Sequence, residues 1–158
     1  MRSLLLLLLT FLSLSACKPT PDNQSTIQSD TFIKQGEVLI INDIGDSIYF
    51  ETEIADSPEK TEKGLMYRKE MKDNQGMFFI FDYEKPLSFW MKNTYIPLDI
   101  IFIDSNLQIV SISENCMPLS EEMIPSLKPA KYVLEVKAGL TRKLSIKIQN
   151  KVIFRDLR

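Results

Sequence analysis

The sequence contains no histidine, only two cysteines, and five glycines scattered along 158 residues. Without histidine, Ser-His-Asp catalysis, Cys-His catalysis and histidine-ligated zinc are excluded. The glycines lie too far apart for the glycine-rich loops of nucleotide sites. With 19 Lys and Arg against 21 Asp and Glu, and no block of basic residues, the chain also lacks the positive stripe that binds nucleic acid. We therefore expect no nucleic-acid partner and few of the familiar enzyme mechanisms.

The amino terminus carries a short apolar run behind a single positive charge. Met1 and Arg2 precede an unbroken leucine run, and the apolar stretch ends at Ser15 and Ala16. This pattern predicts an export signal over residues 1–16. A membrane-spanning helix is the weaker interpretation, because the stretch is shorter than the roughly 18–20 apolar residues that cross a bilayer.

The residues that end this signal, Leu14-Ser15-Ala16-Cys17, resemble the bacterial lipobox. The resemblance implies cleavage before Cys17, a diacylglycerol on its thiol and acylation of the new amino terminus, with palmitate as an expected acyl group. The alternative is an ordinary signal peptide that happens to contain a cysteine. Two or three acyl chains anchor a protein lastingly, so we predict a lipid-anchored cell-envelope protein. In a bacterium with two membranes, Lys18 favours the periplasmic face of the outer membrane or the cell surface.

The rest of the chain divides into a tether and one domain. Pro19, Pro21 and a polar run carry too little apolar surface to fold, so residues 17–35 are predicted to be a lipidated cysteine followed by a flexible tether. The folded domain then spans residues 36–158. Once Cys17 is lipidated, Cys116 is the only thiol left, so no intramolecular disulfide or cysteine-based zinc site can form.

The domain carries the pattern of a β protein. Two strand-like runs, 37–41 and 47–55, flank the turn-forming residues 42–46 and predict a hairpin. Ser57, Pro58 and Glu59 form a helix start, which predicts one short helix near residues 58–66. Further strand-like runs are 77–81, 87–92, 98–104, 107–112, 131–138 and 145–154, with two-residue hairpin loops predicted at Ser105-Asn106 and Asn150-Lys151.

The predicted fold class is mostly β, α+β at the margin: a compact antiparallel sheet or a small barrel with one short helix. Residues 113–129 contain three prolines and no clear strand pattern. Loops of that length are uncommon unless they are functional. The simpler interpretation is a proline-stiffened cover over one end of a small barrel.

Three segments resemble the domain-of-unknown-function 192 family: GLMYRKEM (64–71), GMFFIFDYEKPLSFWMKNTYIPLDIIFID (76–104) and YVLEVKAG (132–139). They contain the family's GLM-x-R, GM-x-F-x-F, FWMKNT, PLD and LE-x-x-AG motifs in order, and the resemblance spans roughly residues 37–155. It implies a small β-rich domain that is often secreted or membrane-tethered, and it brings no established activity. The chain departs from the family at Ser145 and at Gln149-Asn150, where glycines and a Gly-Asp turn are expected.

A polar cluster is predicted around Asp99. Both faces of the strand 98–104 are apolar, so the Asp99 carboxylate needs a partner. The residues expected to converge on it as ligand-binding candidates are Arg68, Trp90, Lys92, Asn93 and Thr94. Glu135, which shares a strand face with Val133, is a candidate second carboxylate of the same cluster. A buried pair that only holds the turn 92–97 in register is the alternative.

We therefore favour a small-ligand-binding or structural module of the cell envelope over an enzyme. The alternative is a metal-independent hydrolase or transferase acting on an envelope saccharide or peptide, with Asp99 and Glu135 as acid and base. Methionine thioethers together with Cys116 could hold Cu(I), but core filling explains the methionines better, so no metal and no cofactor are predicted. The expected partners are the membrane, through the lipid on Cys17, and an unidentified envelope ligand or protein.

Overall fold

The computed structural model describes residues 31–158. The predicted signal, the lipidation site at Cys17 and the first part of the predicted tether lie outside these residues. Within residues 31–158, no helix has the length and apolar character needed to cross a membrane. The end of the predicted tether already contacts the domain, because the Gln35 N–H donates to the Thr52 carbonyl oxygen (2.8 Å) and the Ile33 N–H to Glu53 Oε1 (3.0 Å).

The described chain is built mainly of strands, with two short helices. In chain order the elements are β1 (Gly36–Ile41), β2 (Ser47–Ala55), α1 (Pro58–Lys63), β3 (Gln75–Lys85), β4 (Ser88–Phe89), β5 (Leu98–Ile103), β6 (Ile109–Cys116), β7 (Ile124–Pro125), β8 (Ala130–Lys137), α2 (Leu140–Lys143) and β9 (Lys151–Asp156). The predicted mostly β fold is confirmed, and so is the hairpin of β1 and β2.

Seven of these strands form one curled sheet in the order β6-β5-β8-β3-β2-β1-β9, and β4 pairs with β7 in a separate two-stranded ribbon. Neighbours in the large sheet are antiparallel except β2 and β3, which run parallel because α1 lies in their crossover. The two edges meet at one end, where the Val152 N–H donates to the Leu107 carbonyl (2.8 Å) and Gln108 bridges to Lys151. The sheet is therefore a half-barrel.

Helix α1 begins and ends where local chemistry dictates. The Ser57 side chain accepts a hydrogen bond from the Lys60 N–H, and Pro58 stands at the first helical position, where no N–H is needed. Gly64 ends the helix with a φ of 46°, a left-handed value that favours glycine. The helix is shorter than the predicted 58–66 and has no buried residue of its own.

The central strands carry a hydrophobic core on each face. The inner core lies inside the curl, where residues from both edge strands, Ile109 and Val152, pack with Phe50 and Phe78. The outer core lies on the opposite face, between the sheet and the connecting segments that follow α1, β3 and β6. Its buried members include Leu65, Phe79, Leu87, Met91, Leu98, Ile100, Phe102, Cys116, Ala130 and Val133. All six residues of β5 are buried, as its two apolar faces predicted.

The carboxyl-terminal third departs from the predicted elements. The expected strand 145–154 is wrong in its first half, because α2 and a series of turns precede β9. Ser145 (φ 55°) and Gln149 (φ 73°) have left-handed backbones, which explains why the family pattern places glycines there. The two-residue loop at Ser105-Asn106 is also wrong: a longer loop follows β5, and the Asp104 carboxylate accepts the N–H groups of Asn106 and Gln108 (both 2.9 Å).

Residues 113–129 cover a face of the sheet rather than one end of a barrel. Strand β6 extends to Cys116, and the segment beyond it places Ile124 against the outer core. Its path is fixed by Ser126, whose Oγ donates to the Lys128 carbonyl (2.6 Å) and accepts the Leu87 N–H (3.0 Å). The segment is thus an ordered lid on the outer core, and it forms one wall of the cleft described next.

Candidate functional site

An apolar cleft of about 430 Å³ opens on the outer face of the sheet. It lies between the end of α1, the far half of β3 and the segment that contains β4. Its side chains are mainly apolar and aromatic: Leu65, Met66, Phe79, Phe81, Leu87, Phe89, Trp90 and Met123. The polar groups among its lining are few, and they include Glu62 and Lys85 near the rim and Glu135. A mostly apolar cleft of this size with few polar groups is typical of small-molecule sites.

Glu135 is the unusual residue of the cleft. Its side chain projects from β8 between two apolar cross-strand neighbours, Met77 on β3 and Ile100 on β5, and it is 4% exposed. None of the hydrogen bonds or ion pairs within residues 31–158 involves its carboxyl. Burial away from water therefore raises the pKa of Glu135 to about 8, so the carboxyl is mainly protonated at neutral pH.

Two motif glycines allow the chain to approach Glu135. A Cβ on Gly76 of β3 would lie 2.5 Å from the Glu135 carbonyl oxygen, closer than carbon and oxygen can come. A Cβ on Gly64 would lie 3.4 Å from Phe79 Cζ and 4.0 Å from Glu135 Oε2. Three of the five family motifs, GLM-x-R, GM-x-F-x-F and LE-x-x-AG, therefore meet at this cleft.

Aromatic rings line the cleft and contact one another edge to face. The Phe79 and Phe89 ring centroids are 5.1 Å apart, and those of Phe81 and Phe89 are 6.4 Å apart. The Lys85 Nζ lies 5.5 Å from the Phe81 centroid, and the Lys92 Nζ lies 5.0 Å from the Trp90 ring. Two lysine ammonium groups of the protein therefore already lie over aromatic rings of the cleft wall.

Asp99 lies elsewhere, and the predicted convergence around it is not observed. Its carboxylate is fully buried and accepts the Asn115 N–H (2.8 Å), the Thr141 N–H (3.0 Å) and the Thr141 hydroxyl (2.7 Å). Its partners therefore come from β6 and α2, not from Arg68, Lys92, Asn93 or Thr94. The alternative of a purely structural carboxylate fits better, although Asp99 stabilises a different junction from the predicted turn.

The predicted pairing of Asp99 with Glu135 is also wrong. Asp99 is opposite Val136 of β8, a member of the inner core, whereas Glu135 is opposite Ile100, a member of the outer core. Directly opposed residues share a face, and successive residues alternate. The two carboxylates thus point to opposite sides of the sheet and cannot act as acid and base on one bond.

The remaining candidates are divided among three surface depressions. Arg68 pairs with Glu53 (2.5 Å), and Lys92 lies 4.0 Å from Glu121. The Asn93 amide donates to the Tyr67 hydroxyl (2.9 Å). Trp90 and Thr94 do line the cleft. Trp90 also lines a neighbouring depression with Lys92 and Asn93, while Arg68 lines a third.

Sequence reasoning missed most of the cleft wall. Phe79, Phe81, Phe89 and Leu87 were not singled out, because apolar strand residues more often fill a core. The available signal was the GM-x-F-x-F motif, in which Phe79 and Phe81 share a parity and hence a face of β3. The other signal was the acidic Glu135 within the apolar run of β8.

Four of the seven sulfur-containing residues within residues 31–158 lie in the core, whereas Met66 lines the cleft and Met117 and Met123 are exposed. Met71, Met77, Met91 and Cys116 are buried in the outer core. Burial raises the pKa of the Cys116 thiol to about 11, which leaves little reactive thiolate at neutral pH. Within residues 31–158 no group of three Cys, Asp or Glu side chains is arranged to hold a metal ion.

The comparison with protein families identifies the chain. The family described as "Uncharacterized ACR", the domain-of-unknown-function 192 family, matches residues 40–154. The chain belongs to this family. The match includes β3, β5 and β8, which carry the cleft and Glu135.

Solved structures of similar proteins share the fold. One, from Sinorhizobium meliloti 1021 and named as a candidate transcription regulator, has a TM-score of 0.75 at 37% identity and covers 78% of this chain and 98% of its own. A second, of unknown function from Novosphingobium aromaticivorans DSM 12444, has a TM-score of 0.72 at 37% identity and covers 74% of this chain and 83% of its own. No curated protein matches the sequence.

Proposed function

We propose that this member of the domain-of-unknown-function 192 family is a lipid-anchored cell-envelope module that binds a small, largely apolar ligand in the cleft above Glu135. The observation that carries the proposal is the Glu135 carboxyl itself, which is buried among apolar neighbours with no partner in residues 31–158. An unpaired buried carboxyl costs several kcal/mol. For the stability of the fold alone, an apolar side chain would be favoured at this position. A buried carboxyl is therefore expected here if it binds a ligand.

Binding is favoured over catalysis by the arrangement of acidic groups. Glu135 is the carboxyl at the floor of the cleft, and Glu62 is exposed at its rim. The Asp99 carboxylate faces the inner core. The cleft thus lacks the buried acid and base pair that hydrolysis by two carboxylates requires.

The proposed location rests on the amino-terminal sequence. The lipobox-like residues 14–17 follow an apolar run, and a polar segment separates them from the domain. In an organism with two membranes, Lys18 favours the outer membrane. Ile33 and Gln35, at the end of the predicted tether, already bond to β2. The rest of the tether is short, so the domain would be held close to the bilayer.

A nucleic-acid partner is not proposed, although one structural neighbour is named as a candidate transcription regulator. The longest helix described here, α1, has six residues and no buried side chain. The sequence has a formal net charge of −2 and no basic stripe. A structural partner protein is the second candidate, favoured by apolar side chains exposed on the lid, among them Met117 (74%), Leu119 (57%) and Leu127 (81%).

A nuclear magnetic resonance screen of the purified full chain, held in detergent micelles, tests the proposed site. Small ring compounds of positive, neutral and negative charge are added, and backbone shifts are mapped. We expect hits to perturb residues around Glu135, Phe79 and Leu87. Met123→Trp, at an exposed position that lines the cleft, should weaken binding roughly tenfold or more by occupying its mouth.

Met117→Trp is the matched control, because Met117 is exposed on the same segment but does not line the cleft. It should leave the affinity of every hit unchanged. Shifts confined to another surface, or equal affinities in the two tryptophan variants, would contradict the proposed site.

A further inference from the structure

Glu135 also indicates what kind of ligand the cleft accepts. Its carboxyl lies at the floor of an apolar cleft, and within residues 31–158 no group forms a hydrogen bond or an ion pair with it, although Lys63 and Lys85 also line the cleft. A carboxylate accepts hydrogen bonds and pairs with cations. A ligand with an N–H-bearing cation would therefore supply the partner that this carboxyl lacks.

The cleft walls suit a cation with an apolar body. Phe79, Phe81 and Phe89 supply ring surfaces next to the carboxyl. Ring faces attract ammonium groups, and the attraction grows when water is excluded. Two ammonium groups of the protein already make cation–π contacts at the edge of the cleft: Lys85 lies over Phe81, and Lys92 lies over Trp90.

We propose that the cleft takes an organic ammonium ion: a primary amine on an apolar, ring-sized body, with the ammonium group paired to Glu135 and the body packed against Phe79, Phe81 and Phe89. This inference rests on the proposed function of the cleft as a ligand site. A volume of about 430 Å³ is ample for one ring and a short chain.

Binding would be coupled to proton release. Burial holds the Glu135 carboxyl protonated at neutral pH, so an arriving ammonium ion forms the pair only as the carboxyl proton leaves to solvent. The charged or titratable groups nearby are Glu62 and Lys63 at the end of α1, Lys85 at the end of β3, and the buried thiol of Cys116. Asp99 faces the other side of the sheet.

Calorimetry on the purified full chain in detergent micelles tests the inference with three matched probes. These are 2-phenylethylamine, 2-phenylethanol and 3-phenylpropionate. The amine should bind roughly tenfold or more tightly than the alcohol, and the carboxylate most weakly. In two buffers of different ionisation enthalpy at pH 7, amine binding should release close to one proton per molecule, whereas alcohol binding should release none.

Glu135→Gln separates this ligand class from a general apolar site. It should lose the proton release and the preference for the amine, and it should keep the affinity for 2-phenylethanol. Asp82→Asn, which removes an exposed acid of β3 that does not line the cleft, should keep both the preference and the proton release.

The two proposals fail in different ways. If the alcohol binds in the cleft as tightly as the amine, or if the amine binds without releasing a proton, the ammonium class is wrong and the ligand site stands. A higher affinity for the alcohol than for the amine would point to a neutral acceptor that takes the Glu135 proton in a hydrogen bond, and it would overturn the ammonium inference. If neither probe perturbs the cleft, both proposals fail.

Discussion

Two buried carboxyl groups on adjacent strands have opposite environments. Asp99 receives three hydrogen bonds, two of them from Thr141, and its charge is compensated inside the core. Glu135 lies on the other face among apolar side chains and receives none from residues 31–158. Buried charge is tolerated when it is paired and costly when it is not. The first residue therefore stabilises the fold, and the second is available to a ligand.

Asp99→Asn should destabilise the domain without affecting the cleft. The amide nitrogen would face an N–H donor, so we expect a loss of roughly 1.5–3 kcal/mol in the free energy of unfolding, measured with urea. Thr141→Val, which removes only the hydroxyl donor, should cost about 1 kcal/mol. Loss of probe binding in Asp99→Asn at unchanged stability would instead assign Asp99 to the ligand site.

The stability of the protein should fall with rising pH because of Glu135. Its pKa is about 8 in the folded state against an ordinary glutamate value of 4.5, so between these values the unfolded chain has lost the proton and the folded chain keeps it. Stability from this group is therefore lost as pH rises through that window and is constant above it. Each pKa unit corresponds to about 1.4 kcal/mol, so the total loss is a few kcal/mol.

Urea unfolding of the wild type and Glu135→Gln from pH 5 to pH 8 measures this effect. The variant should lack the decline, so its advantage over the wild type should grow with pH. Glu62→Gln, exposed at the rim of the cleft, controls for the change in net charge. A difference between wild type and Glu135→Gln that stays constant across the range would show that Glu135 titrates normally.

The pattern of residues in the sequence predicted which side chains are buried, but it did not predict their hydrogen-bond partners. The apolar neighbours of Asp99 showed that its carboxylate is buried, but its main partner, Thr141, is 42 residues away along the chain. Parity within a strand cannot reveal which residue of another strand lies opposite. Only the register of β5 against β8 places Asp99 and Glu135 on different faces.

At the scale of elements, the close approach of β3 and β8 sets the floor of the cleft. Gly76→Ala should push these strands apart, because the added methyl group would lie 2.5 Å from the Glu135 carbonyl oxygen. We expect a loss of roughly 1–3 kcal/mol in the free energy of unfolding. The cleft should also change shape, and probe binding should weaken.

Gly45→Asn is the control for this substitution. A Cβ added to Gly45 would meet no atom within 4 Å, and asparagine tolerates its left-handed backbone. The change should alter stability by less than about 0.5 kcal/mol. A Gly76→Ala protein as stable as Gly45→Asn would mean that the two strands can separate freely.

Elements with strong local signals were predicted, and elements made by tertiary contacts were not. The hairpin of β1 and β2 follows from alternation and turn residues, and α1 follows from its capping residues. Helix α2 spans only four residues, and its place is fixed by the bonds from Thr141 to Asp99. The parallel pairing of β2 and β3 depends on the crossover through α1, which no local pattern specifies.

At the scale of the whole molecule, a membrane anchor and a ligand-binding domain are proposed to act together. Cys17→Ser should abolish lipidation, and the protein should move from the membrane fraction to the soluble fraction on cell fractionation. Mass spectrometry of the amino-terminal peptide should show the loss of the acyl groups. Cys116→Ser, which changes the buried cysteine, should stay with the membrane. Membrane retention of a Cys17→Ser protein without acyl groups would contradict a lipid anchor.

The shape of the molecule explains where the cleft lies. The inner core is closed by the curl of the sheet, whereas the outer core is covered, as far as residues 31–158 show, by the connecting segments that follow α1, β3 and β6. A cover made of segments leaves gaps more readily than a continuous sheet does. The sequence predicted that residues 113–129 form a cover over one end of a barrel. Which face they cover depends on contacts between residues far apart in the chain, such as the one between Ser126 and Leu87.

The most direct test of a ligand-binding Glu135 is the pH titration of its carboxyl carbon by nuclear magnetic resonance, with and without 2-phenylethylamine. The free protein should titrate with a pKa of about 8, and the bound amine should lower that pKa by roughly two units or more, as the release of close to one proton at pH 7 requires. A pKa near 4.5 in the free protein, unchanged by the amine, would contradict both the buried, unpaired carboxyl and its role in binding.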